Sequence, residues 1–211
     1  MRISELARAG GVSVATAKFY LREGLLPPGE LTAANQAAYG PEHVHRLRLI
    51  RVMLEVGRMP LSSVREVLVA LDDPALPMHD LLAVAHRNLA LPRIGEGPAD
   101  PAAVAEVDAV LERLGWRVAD DSPARRDLAG SVAALHRLGW SVDSDVLEPY
   151  ARAADSIAER EVEYVGEAPS RAESVERLVV GTVVFEAVLA ALRRLAEERH
   201  SYRRLADRPE W

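Results

Sequence analysis

Lys18 and Arg22 stand about one helical turn apart, and Ala15 precedes Lys18 by three residues. On a helix these three share a face offering two cations and little bulk, a surface that can enter the major groove of a nucleic-acid duplex. Phe19 and Tyr20 lie beside them, while Val14, Ala17 and Leu21 occupy another face and are expected to pack inward. Further on, Asn35, Gln36 and Tyr39 fall in the polar stretch "ELTAANQAAY", and side chains of these types hydrogen-bond phosphates and base edges. Other chemistry is sparse. The chain has no cysteine, which excludes disulfides, thiolate metal sites and thiol redox sensing. His79, His86, His136 and His200 lack ligand spacing, so no metal is expected. With no Ser/His/Asp set, phosphate-binding glycine loop or paired acidic motif, neither an enzyme nor a cofactor is expected.

These residues need elements to position them. Ile3, Leu6 and Ala7 follow helical spacing up to Gly10-Gly11. Ser13 is a suitable N-cap for a second helix, Val14 to Glu23, with Gly24 just past its end. Two short helices around a glycine-bearing turn form a helix-turn-helix pattern. Pro27-Pro28-Gly29 forbids further helix, and the polar stretch after it suits a small two-stranded wing with Asn35-Gln36 near its tip. Gly40-Pro41 opens a third helix. Its stripe Val44, Leu47, Ile50 and Leu54 is apolar and its remainder is basic; from that basic side Arg46 is counted with the polyanion-facing residues. A fourth helix runs from about Leu61 to Leu71.

Beyond Pro74 the periodicity predicts helices over 77–91, 101–114, 124–138, 143–165 and 172–206, with no alternating strand. "LPRIGEGPADP", Leu91 to Pro101, is the one linker-like stretch. "LERLGWRV" and "LHRLGWSV" end two of these helices alike, each with Trp in the C″ position. The expected fold class is mostly α: an N-terminal winged helix-turn-helix with a small β-wing, and an all-α C-terminal domain. The expected parts are residues 1–73, a connecting helix and linker at 74–98, and a helical body at 99–211.

Charge divides in the same way. Residues 1–71 hold nine basic and six acidic residues, a net of +3, and the rest hold seventeen and twenty-six, a net of −9. A basic head on an acidic body points to polyanion binding by the head alone. "MRISELARAGG" has no apolar segment of the secretory kind and no run is long enough to span a bilayer, so a cytoplasmic protein with no membrane partner is expected. One lysine against 25 arginines reads as a GC-rich, bacterial coding bias.

"RISELARAGGVSVATAKFYLREGLLPP" and, after the wing, "YGPEHVHRLRLIRVMLEVG" resemble the DNA-binding domain of the MerR (mercury-resistance regulator) family of bacterial transcription regulators. The resemblance covers about a third of the chain. It implies that Thr16, Lys18, Phe19 and Tyr20 lie at the DNA-facing motif, with Arg22 just beyond, and that the wing flanks the groove. Lys18 stands where the family usually has Arg, and would act as a point charge on phosphate. Tyr20 and Tyr39 would bond phosphates through their hydroxyls. Core packing is the competing reading for Phe19, Tyr20 and Tyr39. Ala37 replaces the usual wing arginine, which leaves Asn35 and Gln36 to supply polar contacts. The implied partners are double-stranded promoter DNA, RNA polymerase indirectly, and a second copy of the chain.

The family dimerises through a long helix after the fourth. Here 77–91 runs into Pro92, Gly95, Gly97 and Pro98, too short for a strong pair on its own. Helix 172–206 is apolar on most sides, so Val179, Val183 and Leu189 are candidate dimer residues, with central burial equally open. The resemblance also implies an effector read by the body, through cysteines in the metal-sensing and redox branches. Without them a small organic effector is left, and Trp116, Trp140, Tyr150 and Tyr164 are the flat side chains a pocket would use. The alternative for these four is aromatic core. The alternative for the whole protein is a helical small-molecule-binding or protein-interaction module with a DNA-binding head that senses no effector.

Overall fold

In the computed structural model of the protein, which describes residues 1–33, 36–89 and 100–205, the chain opens with α1 (Ile3–Gly10) and α2 (Val14–Arg22). The hydroxyl oxygen of Ser13 accepts the Thr16 N–H at 3.0 Å and so caps α2. At the other end Gly24 takes φ +69°, and the Leu25 N–H reaches back to the Tyr20 carbonyl at 2.9 Å. That left-handed residue closes the helix and turns the chain toward Pro27. β1 (Glu30–Ala33) and β2 (Gln36–Ala38) then pair antiparallel, with Glu30 opposite Ala38 and Leu31 opposite Ala37.

α3 (Pro41–Arg51) has proline in its first turn and runs on through a π-helical stretch, Val52–Val56. Its buried stripe contains Val44, Leu47 and Ile50 as the spacing predicts, with Leu49 and Met53 added, while Leu54 is only half-buried. α4 (Leu61–Asp72) and α5 (Met78–Asn88) follow and pack together, burying Val64, Val67 and Leu68 on one and Leu81 and Ala85 on the other. The expected linker lies almost wholly outside the described residues.

Contacts divide the chain into two units, Met1–Leu89 with Glu167–Trp211, and Ala90–Gly166. The expected parts, 1–73, 74–98 and 99–211, do not follow this grouping. α9 (Arg171–Val180) belongs to the first unit and packs on α3, its π stretch and α5, where Val175 and Val179 are fully buried. Removing each such side chain from water contributes roughly 1.5–3 kcal/mol, which holds the helix in this place. Arg171 fastens its start, donating to the carbonyls of Leu76 at 2.9 Å and Asp73 at 3.2 Å. A second π stretch, Gly181–Phe185, leads into α10 (Glu186–Leu205).

The second unit holds α6 (Pro101–Leu114), α7 (Pro123–Arg137) and α8 (Ser144–Gly166). Its core is small and aliphatic: Ala103, Val107, Ala129, Val132, Ala133 and Val142. The repeated "LGW" ends behave alike. Gly115 and Gly139 are left-handed, and the N–H groups of Trp116 and Trp140 reach the carbonyls of Leu111 and Leu135. Asp108 and Arg125 tie α6 to α7 through a two-pronged ion pair at 2.6–2.7 Å.

Candidate nucleic-acid interface

On α2 the buried positions are Ala17 and Tyr20, Leu21 is half-buried, and Ala15, Lys18 and Arg22 are exposed. The outward cationic face is therefore the expected one, whereas the inward face is rotated. Val14 is 37% exposed and Tyr20 only 6%. Tyr20 fills the space between α2 and the end of α3, and burial raises its pKa, with the Glu55 charge adding to that effect and the Arg51 charge opposing it. The Tyr20 ring is thereby committed to packing within the unit. Phe19 is half-buried, its ring 5.8 Å from that of Tyr20. The Thr16 hydroxyl is shared with the Ser13 hydroxyl at 2.8 Å, so it serves the helix cap first.

Lys18 and Leu21 of α2 face Thr32 and Gln36 of the wing across one concavity of about 680 Å³, whose rim also includes Arg2 and Glu5. Gln36 is exposed, and its carbonyl accepts the Thr32 hydroxyl at 3.2 Å. Asn35 lies outside the described residues. Tyr39 closes the base of the wing: it is 9% exposed, its N–H donates to the Met1 carbonyl at 2.9 Å, and its ring meets His43 edge-on at 5.2 Å. Its ring belongs to the packing, as with Tyr20.

Three arginines of this unit are held by internal bonds. Arg46 grips both carboxylate oxygens of Asp72 at 2.5–2.7 Å and the Leu25 carbonyl at 3.0 Å, with its side chain only 12% exposed. It braces α3 to α4 and to the exit of α2, and so leaves the groove-facing set. Arg65 likewise holds Glu23, at both its carbonyl and its carboxylate, and Arg51 pairs with Glu55 and reaches the Gly10 carbonyl. Lys18 and Arg22 make no ion pair among the described residues. Sequence reasoning missed Arg2 and Thr32, because the pairing of Met1 with Tyr39 that brings the start of α1 beside the wing has no local signal.

The other predicted sites fall elsewhere. Trp140, Tyr150 and Tyr164 are 67, 57 and 54% exposed and Trp116 is half-buried, so none of the four belongs to the buried core. Leu147 and the helix-end leucines pack there in their place. Val179 is fully buried within its own unit, against Gly57 and α5, and is no interface residue of a folded chain. Val183 is half-buried and Leu189 47% exposed. Among the described residues no cluster of three metal-ligating side chains occurs, and no helix is long and apolar enough to cross a membrane.

A helix with a bare cationic face, set across a concavity from a two-stranded wing and braced from behind by a third helix, defines a winged helix-turn-helix DNA-binding protein. The family model described as MerR HTH family regulatory protein matches residues 1–71. Over 124 residues the chain is 31% identical to "Heavy metal-dependent transcription regulator 2" of Rhizobium meliloti (strain 1021), covering 58% of this chain and 80% of that one. It is 32% identical over 90 residues to the HTH-type transcriptional regulator HmrR of Sinorhizobium medicae (strain WSM419), covering 43% of this chain and 60% of that protein's length. Among solved structures, that of SCO5550 from Streptomyces coelicolor A3(2), a proposed transcriptional regulator, is 41% identical with a TM-score of 0.74, and each chain covers 100% of the other. The chain belongs to the MerR family of helix-turn-helix regulatory proteins.

Proposed function

We propose that this protein is a sequence-specific transcription regulator that engages a promoter as a homodimer, α2 entering the major groove and the wing following the adjacent backbone. The observation that carries the reading is the contrast among the basic side chains: Arg46, Arg51 and Arg65 are spent on internal bonds, while Lys18 stands across the concavity from the wing and, like Arg22 on the same helix face, makes no ion pair among the described residues. Two heads on one pseudo-palindrome would act on RNA polymerase indirectly, by distorting the promoter between the half-sites. α5 supports a dimer made elsewhere than in a helix 77–91 pair, since it already uses Leu81 and Ala85 against helices of its own chain.

The effector is a further part of the proposal. Heavy-metal dependence belongs to the name of one relative, and this chain lacks the thiols that would carry soft-metal sensing. A small organic effector acting on the helical unit Ala90–Gly166 is the reading that remains.

Anisotropy titration of a promoter fragment at several salt concentrations tests the core of the proposal. Affinity should fall steeply with salt as counterions are released, and more slowly or from a weaker start on unrelated sequence. An affinity that ignores salt would return the protein to the interaction-module reading. For the effector, organic ligands should raise the melting temperature of the full chain in proportion to the logarithm of their concentration, and soft divalent metals should not.

A further inference from the structure

α10, with the last residue of the π stretch before it, leaves a regular apolar seam uncovered. Phe185, Val188, Leu192, Leu195 and Tyr202 are 50, 43, 57, 62 and 77% exposed. Their spacing is three, four, three and then seven residues, and Arg199 fills the gap to keep the alternation of three and four throughout. That is the a/d pattern of a coiled-coil helix. Ala191 and Ala196 flank the seam with small side chains that permit close approach. An apolar ridge of this length on a free surface marks an interaction site.

We infer that this seam pairs with the same seam of a second copy of the chain, the two helices running antiparallel with Phe185 set against the partner subunit's Tyr202. Charge selects both the partner and the direction. Residues 184–192 carry a single charge, Glu186, whereas 193–204 carry five arginines and two glutamates, a net of +3. A parallel pair would lay the two +3 segments together and place Arg199 against its own copy inside the seam. The antiparallel pair sets Arg199 and Arg203 against the half of the partner helix that carries only Glu186, and opposes the helix dipoles favourably.

The register follows from the same residue. In antiparallel packing an a position of one helix meets a d position of the other, so the layers are Leu192 with the partner subunit's Leu195, Val188 with the partner subunit's Arg199, and Phe185 with the partner subunit's Tyr202. Arg199 then lies along Val188 and snorkels its guanidinium to the rim, on the side of Glu186. A single polar residue at an a position is the usual device for fixing register. The inference rests on the dimer of the proposed function and assigns it a helix, a direction and an axis, which passes between residues 193 and 194.

Because the chain has no cysteine, introduced thiols report without background. The full-length double variant F185C with Y202C, treated with a short bis-maleimide, should run as a covalent dimer on a denaturing gel. The single variants F185C and Y202C should stay monomeric there, since the antiparallel register holds like positions roughly 25 Å apart along the axis. V188C with R199C repeats the test one layer inward, should the first pair fail to fold. Leu192→Glu should weaken the dimer on the order of a hundredfold or more, read by sedimentation. Cross-linking by the single variants would mean parallel helices and overturn the register. A protein that sediments as a dimer but cross-links in no variant overturns the seam and leaves dimeric promoter binding standing. A wild-type chain that is monomeric at micromolar concentration and protects one half-site overturns the dimer itself, and the seam with it.

Discussion

Val179 occupies the space that Gly57 leaves empty: a Cβ on Gly57 would come within 2.9 Å of the Val179 Cγ1 methyl and equally close to the Met53 carbonyl oxygen. Backbone bounds one side and a packed helix the other, so neither can yield cheaply. Gly57→Ala should therefore destabilise by about 1–3 kcal/mol through overpacking, lowering the melting temperature by roughly 2–4 °C for each kcal/mol. Gly24→Ala meets nothing within 4 Å and carries only the penalty of its left-handed φ of +69°, about 1 kcal/mol. Should Gly24→Ala prove the more damaging in parallel melts, the close approach of α9 to the π stretch of α3 is misplaced.

Val179→Glu buries a carboxylate at a fully buried position, at a cost of several kcal/mol. It should unfold the first unit, with helical signal lost in circular dichroism, instead of producing a folded monomer. Leu189→Glu, at a position 47% exposed, should stay folded. A folded, cooperative Val179→Glu protein would return that residue to the interface.

Lys18 and Arg46 should separate cleanly. Lys18→Ala should leave stability within about 0.5 kcal/mol, while lowering the slope of log affinity against log salt by roughly one. Arg46→Ala removes bonds to Asp72 and to the Leu25 carbonyl and should cost about 1–3 kcal/mol in urea unfolding, with the salt slope of the folded fraction unchanged. An Arg46→Ala protein of normal stability and reduced slope would put that guanidinium on the DNA.

Tyr20→Phe deletes a hydroxyl on a residue only 6% exposed. Promoter affinity should change less than about twofold, and the salt slope not at all. A tenfold loss with a shallower slope would show that the hydroxyl reaches phosphate.

What the chain discloses about itself depends on distance along it. Ser13, Gly24 and Gly40-Pro41 mark helix ends by local chemistry, and the ends fall where those residues put them. The two "LGW" ends do the same for α6 and α7. Helix rotation is harder to read: Val14 and Tyr20 both border the apolar arc of α2, and only the end of α3 decides which of them is covered. Arg46 looked like a surface cation because its partner, Asp72, is 26 residues away. The return of α9 to α3 and α5 was beyond local reading altogether, since its apolar side chains would suit any core.

That return has a consequence for synthesis. The DNA-binding unit is assembled from both ends of the chain, with Ala90–Gly166 translated between its two parts. At about 5–20 residues per second, a ribosome needs several seconds to nearly twenty to pass from α5 to the end of α9. Throughout that interval the faces of α3 and α5 that will receive Val175 and Val179 remain uncovered. A nascent chain thus carries α2 on an unfinished support until α9 has been made.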